Sequence, residues 1–237
     1  MRRAALALIA AAMLAACGDQ TPDRGAEATA TPAPPEAPPA TNVHFRASDG
    51  KRVAAQFTSA GDDAPAVVLL HEIHGGPDQW DGLVPYLHAA GFATLAYASR
   101  PSTQERDRIR DLLGAVDWLR RRPDVDRRRL ALVGASIGAS TTVYAMASGT
   151  RRTVAAAVAL SPPDSADIWR LQDSHRYRPH DLLMVSDDRE SASVDGMMEG
   201  AIRSRAMRSR HTGHGVVLLG EPGVRDALLE WLKTRVS

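Results

Sequence analysis

The sequence predicts an α/β domain: a mostly parallel central sheet with helices on both faces. Three observations predict it. Short apolar runs such as "PAVVLLHE" and "RLALVG" have the length and Val/Leu content of strands buried on both sides. Segments with apolar residues at helical spacing lie between them. After one N-terminal hairpin the two kinds alternate, which calls for crossover connections between parallel strands.

The elements follow in order. "VHFRASDGKRVAAQFTSAG" sets two β-prone runs around the turn signal "SDGK", a hairpin. "PAVVLLHE" is a buried strand between Pro65 and the glycines of "HGG". Trp80, Leu83, Val84 and Leu87 have helical spacing, and Gly91 stops the run. "FATLAYAS" is the next strand. Ser102 and Glu105 have the spacing of a capping box. Ile109, Leu112, Leu113, Val116 and Leu119 then form one helix face, which ends at Pro123. "RLALVG" is a strand and "SIGASTTVYAMASG" a helix. "TVAAAVALS" and "HDLLMVS" are strands, and "SVDGMMEGAIRSRA" is a helix. "GHGVVLLG" combines a loop with a short apolar run, and "VRDALLEWLKTRV" is a closing amphipathic helix. The connection "PPDSADIWRLQDSHRYRPHD" is too short for a large lid. It leaves an open site, with Trp169, Arg176 and Tyr177 either on its rim or packing the connection.

The N-terminus precedes the fold. "MRRAALALIAAAMLAAC" has two arginines and then a short apolar run, the layout of an export signal. "LAAC" resembles the bacterial lipobox. That resemblance implies a signal peptide over residues 1–16, cleavage before Cys17 and acylation of Cys17, with an ordinary secretory signal as the alternative. Cys17 is the single cysteine, so no intramolecular disulfide is available. More than one acyl chain would anchor the protein stably to a bacterial membrane, on the periplasmic side or at the cell surface. Residues 17–42 are rich in Pro, Ala and Thr and poor in large apolar residues, the composition of a disordered tether. The folded domain is expected over residues 43–237.

Composition narrows function little. The chain has 44% hydrophobic residues and a formal net charge of +1, which gives no basis for nucleic-acid binding. The arginines of "RRRPDVDRRR" are interrupted by Asp124 and Asp126, as on a solvated helix end.

The most informative stretch is "RLALVGASIGAS". It places Ser136 between Gly134 and Gly138, after a strand and before a helix. This is the context of a nucleophile elbow, a sharp turn that exposes a serine at the carboxyl edge of a sheet. The helix that follows directs its first N–H groups toward developing negative charge. A phosphate-binding turn is the competing use of such glycines, but no Gly-Lys-Ser/Thr and no G-x-G-x-x-G is present. "HEIH" is one residue short of the zinc motif H-E-x-x-H and follows a strand, so no metal is expected; no cofactor is implied either.

From Val43 onward these residues resemble the α/β-hydrolase superfamily. "VVLLHEIHGGPDQWDGLVPYLHAAGFATLAYASRP" is similar to the family's strand, oxyanion loop, helix and next strand. "DWLRRRPDVDRRRLALVGASIGAS" is similar to its elbow region. "LLHEIHG" resembles dienelactone hydrolases, which carry a glutamate and an isoleucine at the positions of Glu72 and Ile73. Those enzymes use a cysteine nucleophile, whereas this chain has Ser136, which favours a serine esterase. A further departure is "SRPS" after "LAYAS", where many relatives have an acidic residue and a Gly-His turn.

The resemblance implies a chain order of nucleophile, acid and base. Ser136 is then the nucleophile and His214, in "HTGHG", the base. The acid falls in "SDDRES": Asp188 is the expected residue, with Asp187 and Glu190 as alternatives. The oxyanion hole would use the N–H groups of Ile137 and Ile73, with Glu72 the alternative to Ile73. The implied activity is hydrolysis of a small ester through an acyl-enzyme. The alternatives are a dienelactone-hydrolase-like enzyme and a non-catalytic lipoprotein that keeps the fold as a binding or scaffold module.

Overall fold

A computed structural model describes residues 35–102, 104–148, 154–174 and 176–236. The signal, Cys17 and most of the expected tether lie outside the described residues. The first strand begins at Thr41, two residues ahead of the expected domain start.

Eight strands form one sheet in the order β1-β2-β4-β3-β5-β6-β7-β8. The hairpin β1 (Thr41–Arg46) and β2 (Arg52–Thr58) is antiparallel, and β2 meets β4 (Ala93–Tyr97) antiparallel. Every other pairing is parallel: β3 (Ala64–Leu70) with β4 and β5 (Val125–Ala135), then β6 (Ala156–Leu160), β7 (Leu182–Ser186) and β8 (Arg205–Arg208). The central strands are buried throughout, which is why they read as continuous apolar runs instead of alternating ones.

Side-chain alternation along β3 divides the core into two layers. Ala66, Val68 and Leu70 pack on the side of α2 (Glu105–Arg120) and α3 (Ile137–Ser148), against Leu112, Val116, Leu119 and Val143. Val67 and Leu69 pack on the other side, with Leu87 of α1 (Val84–Ala89) and with Leu228 and Leu232 of α6 (Pro222–Val236). Burial of these side chains is the main stabilising term, each contributing about 1.5–3 kcal/mol relative to exposure.

Several elements differ from expectation. The first predicted helix is divided into a 3-10 turn, Pro77–Trp80, and the short α1. The short connection after β6 contains a helix, α4 (Ala166–Asp173). "SVDGMMEGAIRSRA" is a helix only over α5 (Ser191–Met198); its last residues begin β8, a strand the sequence did not announce. The burial pattern explains this. β8 is an edge strand with exposed arginines, so it lacks an apolar run. The capping box does not form: Gln104 caps α2, and the Ser102 hydroxyl donates to Asp107 (2.9 Å).

Candidate active site

Ser136 closes β5 and precedes α3. Its φ of +51° lies in the left-handed region, a conformation that costs a non-glycine residue about 1–3 kcal/mol. Its surroundings impose it. The Ser136 N–H donates to the Leu160 carbonyl at 2.9 Å, tying the elbow to β6. A Cβ at Gly138 would stand 2.2 Å from the Leu70 carbonyl oxygen, and one at Gly134 would stand 2.3 Å from that of Gly138. The glycines therefore permit the approach of β3, β5 and α3 on which the turn depends.

His214 arrives from a loop beyond β8, at the start of the 3-10 helix Gly215–Gly220. The Ser136 hydroxyl donates to His214 Nε2 at 2.7 Å. On the opposite side of the ring, Nδ1–H donates to Glu190 Oε1 at 2.5 Å. This pairing fixes the tautomer, leaving Nε2 as the acceptor facing the serine. The second oxygen of Glu190 is buried without a partner.

The acid expected from the sequence, Asp188, is not in this chain of hydrogen bonds. It is exposed, and its backbone carbonyl accepts the Ser191 hydroxyl (2.8 Å). Asp187 is buried but committed elsewhere. It accepts from Arg189 Nε (2.8 Å) and from the Gly213 N–H (3.2 Å). The Arg189 guanidinium holds its carboxyl below the usual aspartate range. Glu190, three residues beyond β7 at the start of α5, is the one that reaches the imidazole.

The base loop is held by three further carboxylate contacts. Asp187 takes the Gly213 N–H. Glu221 accepts from the Ser209 hydroxyl (2.6 Å) and the Arg210 N–H (2.9 Å). The Ser209 hydroxyl bond is the main cause that lowers the Glu221 carboxyl. Glu72 Oε1 takes the Val216 N–H at 2.7 Å, which joins the base loop to the loop after β3. The Glu72 carboxylate fills the space where a side chain at position 215 would stand, and Gly215 has a φ of +57°. Sequence reasoning noticed Glu72 by resemblance but did not foresee this contact.

The loop after β3 is fixed from within. Gln79 Oε1 accepts the Glu72 N–H at 2.9 Å, and the Gly75 N–H donates to the Glu72 carbonyl at 3.0 Å. The Glu72 N–H is thus occupied, which leaves Ile73 as the candidate oxyanion donor from this loop. Ile73 and Ile137 both line a cavity of about 330 Å³ on this side of the elbow. Ile137 opens α3, where the first N–H groups have no carbonyl partner within the helix. The histidines of "HEIH" have separate situations. His71 donates through Nδ1 to the Glu72 carbonyl (2.6 Å) and accepts the Ser99 N–H at Nε2 (2.9 Å), while His74 is exposed. Of the three residues expected near the rim, Trp169 and Tyr177 line a separate open groove between α4 and α5, and Arg176 does not.

The sheet order, the elbow after β5 and a histidine delivered from beyond the last strand now stand together. This chain has the α/β-hydrolase fold. Solved α/β-hydrolases bear this out. An esterase of Pyrococcus furiosus, Pf2001, is 16% identical, with 84% of this chain and 93% of that chain covered and a TM-score of 0.66. A dienelactone hydrolase of Anabaena variabilis is 20% identical, with 84% and 99% covered and a TM-score of 0.65. EstE1, a carboxylesterase cloned from a metagenomic library, is 18% identical, with 84% and 89% covered and a TM-score of 0.64. Residues 113–213 of the hydrolase-fold domain match the family model described as BAAT / Acyl-CoA thioester hydrolase C terminal. No curated protein matches the sequence.

Proposed function

We propose that the protein is a serine hydrolase that cleaves an ester-like acyl substrate through Ser136, His214 and Glu190. The observation that carries this is the continuous hydrogen-bond chain from the serine hydroxyl through the imidazole to a carboxylate. A serine alone is a weak nucleophile; a positioned base and an orienting acid are what activate it. His214 Nε2 takes the Ser136 proton as Oγ attacks the carbonyl carbon. Glu190 holds the ring and stabilises the imidazolium that forms. The N–H groups of Ile137 and Ile73 stabilise the oxyanion. The tetrahedral intermediate collapses, His214 returns the proton to the leaving alcohol, and the acyl-enzyme remains on Ser136. Water, deprotonated by His214, then releases the acid. The names of the structural neighbours and of the matching family model point to oxygen esters or thioesters as the substrate class.

The same reading includes an anchor. Acylation of Cys17, with residues 17–42 as the tether, would hold this domain at a bacterial membrane. Metabolic labelling with an alkyne fatty acid tests it: label is expected on the wild type and lost in Cys17→Ser.

A short-chain aryl ester assay and a fluorophosphonate probe test the chemistry. The wild type is expected to turn over the ester and to label at Ser136. Ser136→Ala should lose the label and at least about 10⁴-fold in rate. Equal turnover by the two proteins, or no label on the wild type, overturns the proposal and leaves a binding module.

A further inference from the structure

The 330 Å³ cavity beside the elbow selects the acyl group, and its walls limit both the length and the charge of what fits. This inference rests on the proposed hydrolase reading. Leu70, Ile73, Pro101 and Ile137 supply apolar surface. Two guanidiniums, Arg100 and Arg108, also line it, and at first sight they would recruit an anion.

Their hydrogen bonds argue otherwise. Arg100 is bound by Asp111, which is fully buried, and by Asp49 (2.6 Å). Arg108 is held on three sides: by Glu105 (2.8 Å), by the Thr141 hydroxyl (3.0 Å) and by the Ser102 carbonyl (3.0 Å). Glu105 is 1% exposed and its other oxygen has no partner. Two cations thus face three carboxylates, so the floor of the cavity offers no excess positive charge. His71, on the same wall, has both ring nitrogens occupied. An anionic acyl group entering here would lose hydration and meet a negative surplus. A cationic one would find Glu105 behind the Arg108 side chain and outside the lining.

From this geometry we propose that the enzyme acts on short, uncharged acyl groups housed in the cavity between the β3 loop and residues 100–102. A water occupies about 30 Å³ of liquid, so 330 Å³ accommodates on the order of ten non-hydrogen atoms. The acyl chain therefore fits to roughly six to eight carbons, and longer chains must leave it.

Two substrate series test this on the full-length protein. In the first, p-nitrophenyl esters run from acetate to dodecanoate. The optimum kcat/KM is expected at butyrate to hexanoate, with at least a tenfold fall by dodecanoate. In the second, ethyl esters of butyrate, monosuccinate and 4-aminobutyrate are followed by proton release. The neutral ester should be preferred about a hundredfold over each charged one. Pro101→Trp and Thr141→Leu fill the cavity from opposite walls, and either variant that folds should move the optimum toward acetate. A dodecanoate optimum, equal turnover of monosuccinate, or an unmoved optimum in both variants overturns the cavity assignment. Loss of the catalytic reading itself looks different: no ester in either series would be hydrolysed above the Ser136→Ala background.

Discussion

The nucleophile elbow and the base loop meet at one hydrogen bond but are held by opposite means. The elbow is a backbone construction. Ser136 lies between buried strands, and two glycines allow main chains to approach where no Cβ fits. The base loop is a carboxylate construction. Glu72, Asp187 and Glu221 each take N–H groups from residues 210–216, and Glu190 holds the imidazole from outside. His214 and Glu190 are partly exposed, with 45% and 26% of their side-chain surfaces accessible. The elbow is therefore sensitive to volume, and the base loop is sensitive to charge. That contrast separates what a methyl group would damage from what a proton would damage.

The largest test of it concerns the acid. Glu190→Gln keeps the side chain's shape but removes the charge that orients and stabilises the imidazolium. It is expected to lower kcat by about 10³- to 10⁴-fold, the loss typical of an orienting acid replaced by its amide. Asp188→Asn should stay within about twofold of wild type. The reverse ranking in steady-state kinetics would restore Asp188 to the site and remove Glu190.

Gly138→Ala should act through packing instead. Its Cβ meets the Leu70 carbonyl, a backbone atom that cannot rotate away. A destabilisation of about 3 kcal/mol is expected, together with loss of most activity, because the strand-to-helix turn must open. Chemical denaturation checks the first and the ester assay the second. A variant with unchanged midpoint and activity would show that the elbow has room this geometry denies.

Glu72→Ala removes the contact that joins the two loops. The Val216 N–H would lose its partner, a cost of about 1–3 kcal/mol if it stays buried. Because the effect is on positioning, kcat should fall about tenfold with little change in KM. Glu72→Gln, which keeps an oxygen acceptor, should recover most of the rate. Equal kcat for Glu72→Ala and wild type would mean the loops hold their places independently.

The smallest effect is electrostatic. The carboxyl of Asp187 is depressed below the ordinary aspartate value of 3.8, chiefly by Arg189. Its contribution to stability is therefore present above about pH 4 and lost as pH falls through the depressed value. A melting-temperature gap of a few degrees between wild type and Asp187→Asn is expected at pH 6, closing toward pH 2. A gap independent of pH across that range would assign the effect to something other than this charge. The partners are largely solvent-accessible on the arginine side, so added salt should narrow the gap as well.

The elbow was legible in the sequence because its determinants are local. A buried strand, two glycines around a serine and a helix lie within one short stretch, and each leaves a compositional mark. His214 was legible for a related reason: it stands beside a glycine that must adopt positive φ, ahead of the final helix. β8 was not, because an edge strand of exposed arginines carries no apolar signature.

The chain by itself determined the alternation of elements, the two-sided core, and the serine and histidine. Those features follow from hydrophobic periodicity and from backbone conformations that only certain residues tolerate. The choice among Asp187, Asp188 and Glu190 belonged to the tertiary structure. Three carboxylates within four positions are equivalent to any local rule, and they differ only in direction as the chain leaves β7. One faces Arg189 and the base loop, one faces solvent, and the third, brought round at the start of α5, faces an imidazole delivered from the far end of the chain. Only a contact across 24 residues could tell them apart.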